Sequence, residues 1–306
     1  MGQPATLAAR IREIDPSLSW RAARERIAAG GVAVDGRIER DPAARPPAAS
    51  RVEIAQDASA RRAGSGRPDV RIIYSDADVA VVSKPAGILT VPFEADDRDT
   101  LLALARVALR RREAARGRPG PPTLRAVQRL DKETSGLVVF ARSVASQRRL
   151  QEQFASHEAL RRYLAIAQGR VAPAIFDSDF LNDRGDGLRG SFRPASRASE
   201  PPPGAKRAIT RVEPLEFLPG ATFVACVLET GRTHQIRIHL AEAGHPLLGE
   251  KVYVRDFRGP RIEAERPMLH AAELGFEHPR TGEPVRFEEE PPEDFRELLN
   301  RLRRGP

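Results

Sequence analysis

The chain has 306 residues, enough for one large domain and a small one whose cores close without disulfide staples. Hydrophobic residues at 41% and charged residues at 30% describe a soluble globular protein; no apolar run approaches the roughly 20 residues of a membrane helix, and the first residues lack the apolar stretch of a secretory signal. A lone cysteine, Cys226, excludes internal disulfides and cysteine metal cages, which fits a reducing, cytoplasmic setting; 50 Lys and Arg against 42 Asp and Glu leave a net charge of +8, favouring a polyanionic partner, nucleic acid first.

Residues 1–56 read as a small helix-helix-hairpin unit. "LAARIREI" has helical spacing, and Ser19 stands where it can cap a second helix over "WRAARERIAAGG", with Trp20, Ala23 and Ile27 on one face and Gly30 as a stop. "VAVDGRIE" alternates about an Asp35-Gly36 hairpin turn, and "RVEI" supplies a further strand. Arg21, Arg24, Arg26 and Arg37 make the polar side of this unit basic. Residues 57–69, "DASARRAGSGRPD", have the composition of a flexible linker.

The rest, residues 70–306, reads as one larger domain. Strands over "VRIIY" and "VAVVSKPAGI" precede a helix over "DTLLALARVALRR" and a basic loop, "RRREAARGRPGPP", with five arginines between Arg110 and Arg118. "LVVFA" is a buried strand, "VASQRRLQEQFAS" a helix and "RRYLAIAQG" a strand; residues 181–206 are a polar, Gly/Pro-rich loop. Two strands follow, "RAITRVEPLEFL" and "TFVACVLET", and the closing helix "PEDFRELLNRLRR" puts Phe295, Leu298, Leu299 and Leu302 on one face. The expected fold class is α+β, with a mainly antiparallel mixed sheet flanked by helices.

Two segments carry candidate chemistry. In "RAVQRLDKETSGLVVFARS", residues 125–143, Asp131 occupies a turn that feeds a buried strand, which would hold a side chain rigidly at a sheet edge; an aspartate before Thr-Ser-Gly is also a common turn former. In "ETGRTHQIRIHLAEAGHPLLGE", residues 229–250, Thr233 is placed to cap a helix with Ile236, Leu240 and Ala243 inward and Gly244 and Pro246 at its end. His234 and Arg237 are three apart and share a face, so Arg237 could reach Asp131 and favour its charged form.

Other readings of the same residues are weaker. His234 and His239 are five apart and diverge on a helix or strand, so no metal site is expected. Ser135 lacks a GxSxG elbow, and no histidine is visibly placed to activate it, which leaves a turn hydroxyl. Tyr163 fits a half-buried strand. Asp131 and Glu133 would point the same way on extended chain, near the separation of a retaining glycosidase pair, but a basic chain with 5% aromatic residues offers few sugar platforms.

Together the segments resemble RluA-type pseudouridine synthases. "QRLDKETSGLVVFA" is similar to that family's "HRLDxxTSGLLLFA", "TGRTHQIRIHLAEAGHPLLGE" to "TGRTHQIRVHLxxxGHPIxGD", "VVSKPAGILTV" to "NKPAGLxVHP", "RRYLAIAQG" to "KxYLAxVxG" and "LHAAELGFEHPRTGE" to "LHAxxLxFxHPxTGE". The five motifs keep the family's order and span about residues 70–300. "IAAGGVAVDGR" resembles the alpha-L RNA-binding domain, which is common at the N-terminus in this family. Gln128 stands where the family usually has His, and Arg161 where it often has Lys.

The resemblance implies the pseudouridine synthase fold and an enzyme that isomerises uridines in structured RNA. It implies Asp131 as catalytic aspartate, Tyr163 as active-site tyrosine and Arg237 as the arginine paired with the aspartate. Lys84, Gln128, Arg129, Arg232 and His234 lie in the matched motifs as substrate-binding candidates, and Arg21, Arg24, Arg26 and Arg37 as RNA-binding ones. The implied partner is RNA, large-subunit ribosomal RNA ahead of tRNA, for a monomer with no membrane contact. No cofactor or metal is implied, because isomerisation gains and loses no atom. The alternative is a non-catalytic RNA-binding or ribosome-assembly protein on the same fold.

Overall fold

Two compact units make up the chain, Met1–Pro68 and Asp69–Pro306. The computed structural model describes residues 5–28, 31–39, 41–54, 70–93, 97, 99–117, 121–185, 187–193 and 200–305, without the side chains of Arg21, Glu25, Ala28, Arg37 and Ile38. The expected linker, the Gly30 stop and the side chains of Arg21 and Arg37 lie outside what is described.

In the first unit, Thr6 caps α1 (Leu7–Ile14) by accepting from the Ala9 N–H, and the Ser19 hydroxyl accepts from Ala22 at the start of α2 (Trp20–Ala28). Leu7, Ala8 and Ile11 pack with Ala23, Ile27 and Val32. β1 (Val32–Val34) and β2 (Arg37–Ile38) form the hairpin, with Asp35 and Gly36 at φ 51° and 78°, both positive as a type I′ turn requires; β3 (Val52–Ile54) pairs along β1. Trp20 departs from the expected buried face. It is 48% exposed, and the Arg12 guanidinium lies 4.4 Å from its ring centre. Helical side chains lean toward the N-terminus, so the first residue of α2 points past the edge of this small core.

The second unit runs β4 (Arg71–Ser75), β5 (Val79–Lys84), α3 (Leu101–Ala114), β6 (Arg125–Ala126), β7 (Ser135–Ala141), α4 (Val144–Ala155), β8 (Leu160–Gln168), β9 (Ala174–Leu181), β10 (Gly190–Ser191), β11 (Lys206–Leu218), β12 (Ala221–Leu228), α5 (Gln235–Glu242), β13 (Leu269–Glu277), β14 (Pro284–Glu288) and α6 (Glu293–Arg304). The strands form one eleven-stranded sheet in the order β10-β9-β11-β12-β8-β13-β7-β5-β4, with β14 beside β13 and β6 beside β7. Among the described strands only β13 and β7 pair in parallel; the others are antiparallel.

Helices cover both faces of the sheet. Leu101, Ala105 and Leu109 of α3 and Ile236 and Leu240 of α5 share a core with Val82, Val138, Phe140 and Tyr163. On the other face, Leu150 of α4 packs with Val81, Leu137 and Val139. Alternate residues of β7 thus enter opposite cores, which is why no polar residue interrupts "LVVFA". α6 buries Phe295, Leu298 and Leu299 against Ile166 and Leu248, each worth about 1.5–3 kcal/mol. No described helix is long and apolar enough to cross a membrane.

Besides β6, β13 and β14, which the sequence reading did not assign as strands, two stretches differ from the sequence expectation. The basic "RRREA" segment is the last turn of α3 rather than loop: Arg112 donates to the Ile72 carbonyl at 2.7 Å, and Glu113 pairs with Arg142 at 2.7 Å, so part of the run anchors the helix. The 181–206 loop contains β10, and β9 before it was not expected.

The parallel contact explains the glycine of "TSG". Gly136 has φ +116°, and a Cβ there would fall against the Ala271 carbonyl oxygen and within 2.6 Å of the Ala271 nitrogen. Only glycine lets β7 approach β13 this closely. Gly136→Ala is expected to destabilise the protein by about 3 kcal/mol or more, read from the urea midpoint; a loss below about 1 kcal/mol would show that the strands can part at little cost.

Candidate active site

The end of β5 and the start of β7 meet in a turn with almost no free backbone. The Lys84 ammonium, 1% exposed, donates to the carbonyls of Pro85 (3.1 Å), Lys132 (2.8 Å) and Thr134 (2.7 Å). Gly87 N–H also donates to Lys132 O at 2.8 Å, and Thr134 N–H closes the turn on Asp131 O at 3.1 Å. The Thr90 hydroxyl donates to Leu130 O (2.9 Å) and accepts from Leu130 N–H (3.0 Å), while Arg266 donates to Glu133 O at 3.2 Å. Every carbonyl from Leu130 to Thr134 is therefore engaged. The Asp131 side chain, 27% exposed, projects from this fixed backbone.

This arrangement corrects two expectations. Lys84 is a brace and not a substrate ligand: its three donors are taken by carbonyls, and burial pushes its pKa down to about 7 against the opposing charges of Glu133 and Asp131. Asp131 and Glu133 do not alternate along extended chain. They sit in one turn, which removes the geometric premise of a glycosidase pair.

The facing wall comes from β8 and α5. Helix α5 is not capped by Thr233. Its N-cap is His234, in the left-handed region at φ 60° with no side-chain cap bond; Gln235 secures the approach instead, accepting from Thr230 Oγ1 (2.8 Å) and Arg232 N–H (2.9 Å). Ile236 and Leu240 face inward as expected, whereas Ala243 is exposed at the C-cap. His234 Nε2 stands 3.9 Å from Asp131 Oδ1 and Arg237 Nη1 4.0 Å from Asp131 Oδ2. Arg237 thus faces the carboxylate without a hydrogen bond to it. Its direct partner is Glu250, which accepts from Nε at 2.7 Å and from Nη2 at 2.8 Å. His234 Nδ1 is hydrogen-bonded to the Tyr253 hydroxyl at 2.7 Å, and the Arg237 guanidinium lies 5.4 Å from the Tyr253 ring centre.

Tyr163, on β8, is 8% exposed and shares the core face with Ala165 and Ala167. Burial pushes its hydroxyl up to about 12, with the Asp131 charge adding to the effect and Arg161 opposing it. Gln128 is half-buried and Arg129 exposed beside Asp131. Arg232 is half-buried, its Nε donating to the Arg207 carbonyl at 2.9 Å. In the first unit, Arg24 is exposed and Arg26 half-buried.

Several residues here were not singled out from sequence. Glu250 and Tyr253 bear directly on Arg237 and His234; the signals for Glu250 were a buried arginine's need for a carboxylate and its place at the carboxylate that ends the matched "GHPIxGD" motif. Exposed Arg189, held by Asn182 Oδ1 at 2.5 Å, adds positive charge near His234 and Tyr253. Ser135 does have a histidine beside it: its hydroxyl meets His270 Nδ1 at 3.0 Å, and His270 Nε2 meets Glu289 O at 3.0 Å. A ring nitrogen facing a carbonyl carries the proton, so Nδ1 accepts from the serine. Burial lowers the His270 pKa to about 4, a weak base, and the pair links β7 to β13 rather than making a nucleophile.

His239 is bonded to Thr210 Oγ1 (2.8 Å) and Ser178 Oγ (3.1 Å). Among the described residues, Asp76, Asp78 and His278 are grouped closely enough for an ion. Their atoms are already engaged with each other, with Tyr74, Ser146 and Arg280, and with the backbone N–H groups of Asp78 and Val79. A cleft of about 610 Å³, lined by Ser83, Ser135, His270 and Glu289 among others, does not include Asp131 in its wall.

Residues 78–242 match the family model described as RNA pseudouridylate synthase. An uncharacterized RNA pseudouridine synthase of Bacillus subtilis, YlyB, is 36% identical over 243 residues, 78% of this chain and 74% of that protein. The ribosomal large subunit pseudouridine synthase D of Xanthomonas campestris is 32% identical over 305 residues, 96% of this chain and 87% of that protein. A human structure, RNA pseudouridylate synthase domain containing 4, shares the fold with a TM-score of 0.59 at 22% identity, over 76% of this chain and 92% of that one.

Two expectations follow from the geometry. Lys84→Met removes the brace without touching a ligand, so turnover on RNA should fall about tenfold or more while KM stays within about twofold; a change confined to KM would return Lys84 to the substrate ligands. Burial lowers the pKa of His234, His239 and His270 to about 4 from 6.5. As pH falls, the unfolded chain takes up these protons first, so the stability they contribute is full above about pH 6.5 and lost toward pH 4, at roughly 2–4 kcal/mol per pH unit, with part-exposed His234 contributing least. Urea midpoints at pH 7.5 and 5 should show the drop, and a midpoint that rises on acidification would contradict it.

Proposed function

The chain belongs to the RNA pseudouridylate synthase family and is an RNA pseudouridine synthase, and from that premise we propose that Asp131 acts on the glycosidic bond of a target uridine in large-subunit ribosomal RNA. The observation that carries this reading is the Asp131 carboxylate itself. It projects from a fully bonded turn and faces Arg237 across 4.0 Å and His234 across 3.9 Å. Gaps of that size leave its lone pairs available to a ligand, with the guanidinium's positive charge still close by.

The isomerisation breaks the bond from the anomeric carbon to N1, turns the uracil and joins the anomeric carbon to C5. C5 loses a proton and N1 gains one, so the atoms balance. Asp131 either adds to the anomeric carbon or takes the neighbouring 2′ proton to give a glycal; both routes start from the carboxylate. Tyr163 holds the freed base. With its hydroxyl near 12, forming the phenolate at neutral pH costs about 7 kcal/mol, so its role is that of a neutral stacking surface and donor. Arg129 fills the space a flipped uridine leaves or binds a phosphate, and Gln128, Arg232 and His234 line the approach.

The relatives' names support ribosomal RNA as the substrate, with tRNA as the alternative outcome. Residues 1–56 act as an alpha-L-like RNA-binding domain through Arg21, Arg24, Arg26 and Arg37, joined by the 57–69 linker to a monomeric catalytic domain over 70–306. RNA carrying tritium at uridine C5 tests the reading. The wild type should release tritium from ribosomal RNA fragments, and Asp131→Asn should release at least about a thousandfold less while binding RNA within about threefold. Tritium release by Asp131→Asn at the wild-type rate removes the catalytic role, and release from tRNA alone removes the substrate assignment.

A further inference from the structure

Resting on the reading that Asp131 is the working carboxylate, we propose that Glu250 is a positioning residue that acts on Asp131 through Arg237. A guanidinium can present a two-donor edge to one carboxylate. Glu250 occupies such an edge, accepting from Nε and Nη2 at 2.7 and 2.8 Å. It is itself immobile. Its side chain is fully buried, and Oε1 also accepts from the N–H groups of Lys251 (3.0 Å), Val252 (2.8 Å) and Tyr253 (3.4 Å). Arg237, 8% exposed at its side chain, is therefore held by a carboxylate that cannot follow it toward Asp131.

Two consequences reach the reacting group. The geometric one is that Glu250 holds the guanidinium by its Nε–Nη2 edge, so the remaining Nη1–Nη2 edge is kept back from Asp131, with Nη1 4.0 Å from Oδ2 and no two-pronged ion pair on the Asp131 oxygens. The electrostatic one is that Glu250 balances much of the guanidinium's charge. Burial alone would disfavour both charges, yet their attraction raises the Arg237 pKa and lowers that of Glu250. Asp131 thus lies in a cation's field without being neutralised by it, as a carboxylate must that is to attack or take a proton.

Replacement of Glu250 by Gln keeps the shape but turns an amide N–H₂ toward the Arg237 Nε–H. This donor clash releases the guanidinium toward Asp131. Steady-state release from C5-tritiated RNA should then show kcat lowered at least about thirtyfold with KM within about twofold, while Glu250→Asp, which keeps the charge, recovers kcat to within about fivefold of wild type. A purely structural role would lower both variants alike, in step with their melting temperatures. Wild-type kcat in Glu250→Gln, or equal impairment of the two variants, overturns the proposal.

If Glu250→Gln does not fold, Arg237→Lys carries the test. An ammonium held by both Glu250 oxygens has no second edge for Asp131, so kcat falls at least about thirtyfold with KM unchanged; wild-type kcat there overturns the proposal equally. Asp131→Asn assayed in parallel separates the failures. Full activity in that variant removes the underlying reading, whereas its inactivity beside an unaffected Glu250→Gln removes this inference alone.

Discussion

A buried ammonium holds the functional end of the sheet together. Taking a lysine charge out of water costs several kcal/mol unless dipoles replace the lost hydration. At Lys84 the replacement is three backbone carbonyls, two of them from the turn that carries Asp131. The interaction runs both ways: the carbonyls make the buried charge tolerable, and the charge gives buried carbonyls a donor that a strand end cannot supply. With Thr90 on one side and Arg266 on the other, the turn has few alternative conformations left.

The same logic recurs on the facing wall, where Arg237, His234 and Gln235 are each restrained by partners behind them. Glu250 restrains Arg237, Tyr253 restrains His234, and Gln235 ties the loop before α5 to β11 through the Ile209 carbonyl and the Thr210 hydroxyl. The left-handed conformation of His234 costs about 1 kcal/mol or more, and it persists because its neighbours leave no other path for the chain. The two preorganised walls bring Arg237 and His234 to about 4 Å from Asp131 without a hydrogen bond, and the partners behind them keep them from closing onto the carboxylate.

How far the sequence could be read depended on the range of the interaction concerned. β7, α4 and α6 were legible because their apolar spacing is local, and so was the Asp35-Gly36 hairpin, whose turn chemistry lies in two residues. β9 was not, because Asp177 and Asp179 alternate with its apolar residues and make "IFDSDF" look like polar loop. The motifs brought Asp131, Arg237 and His234 to one place, but partners set by tertiary structure stayed hidden. Nothing in "SKPAGI" tells that Lys84 turns into carbonyls 48 and 50 residues away, and no pattern marks His270 as the neighbour of Ser135 across 135 residues. Trp20 failed for a simpler reason: a periodic face says which way a side chain points, and not whether the core extends that far.

The position of β13 has a consequence for how the molecule comes into being. Without it the sheet is two separate pieces, β10-β9-β11-β12-β8 with Tyr163 and β7-β5-β4 leading out of the Asp131 turn. Leu269–Glu277 is the slat that joins them, and its contact with β7 closes a chain segment of 135 residues, among the costliest closures in entropy that the topology demands. A ribosome therefore delivers both halves of the candidate site well before the strand that unites them. Until that strand emerges and docks, the nascent chain is a set of correct parts with no centre in which to rearrange a nucleoside.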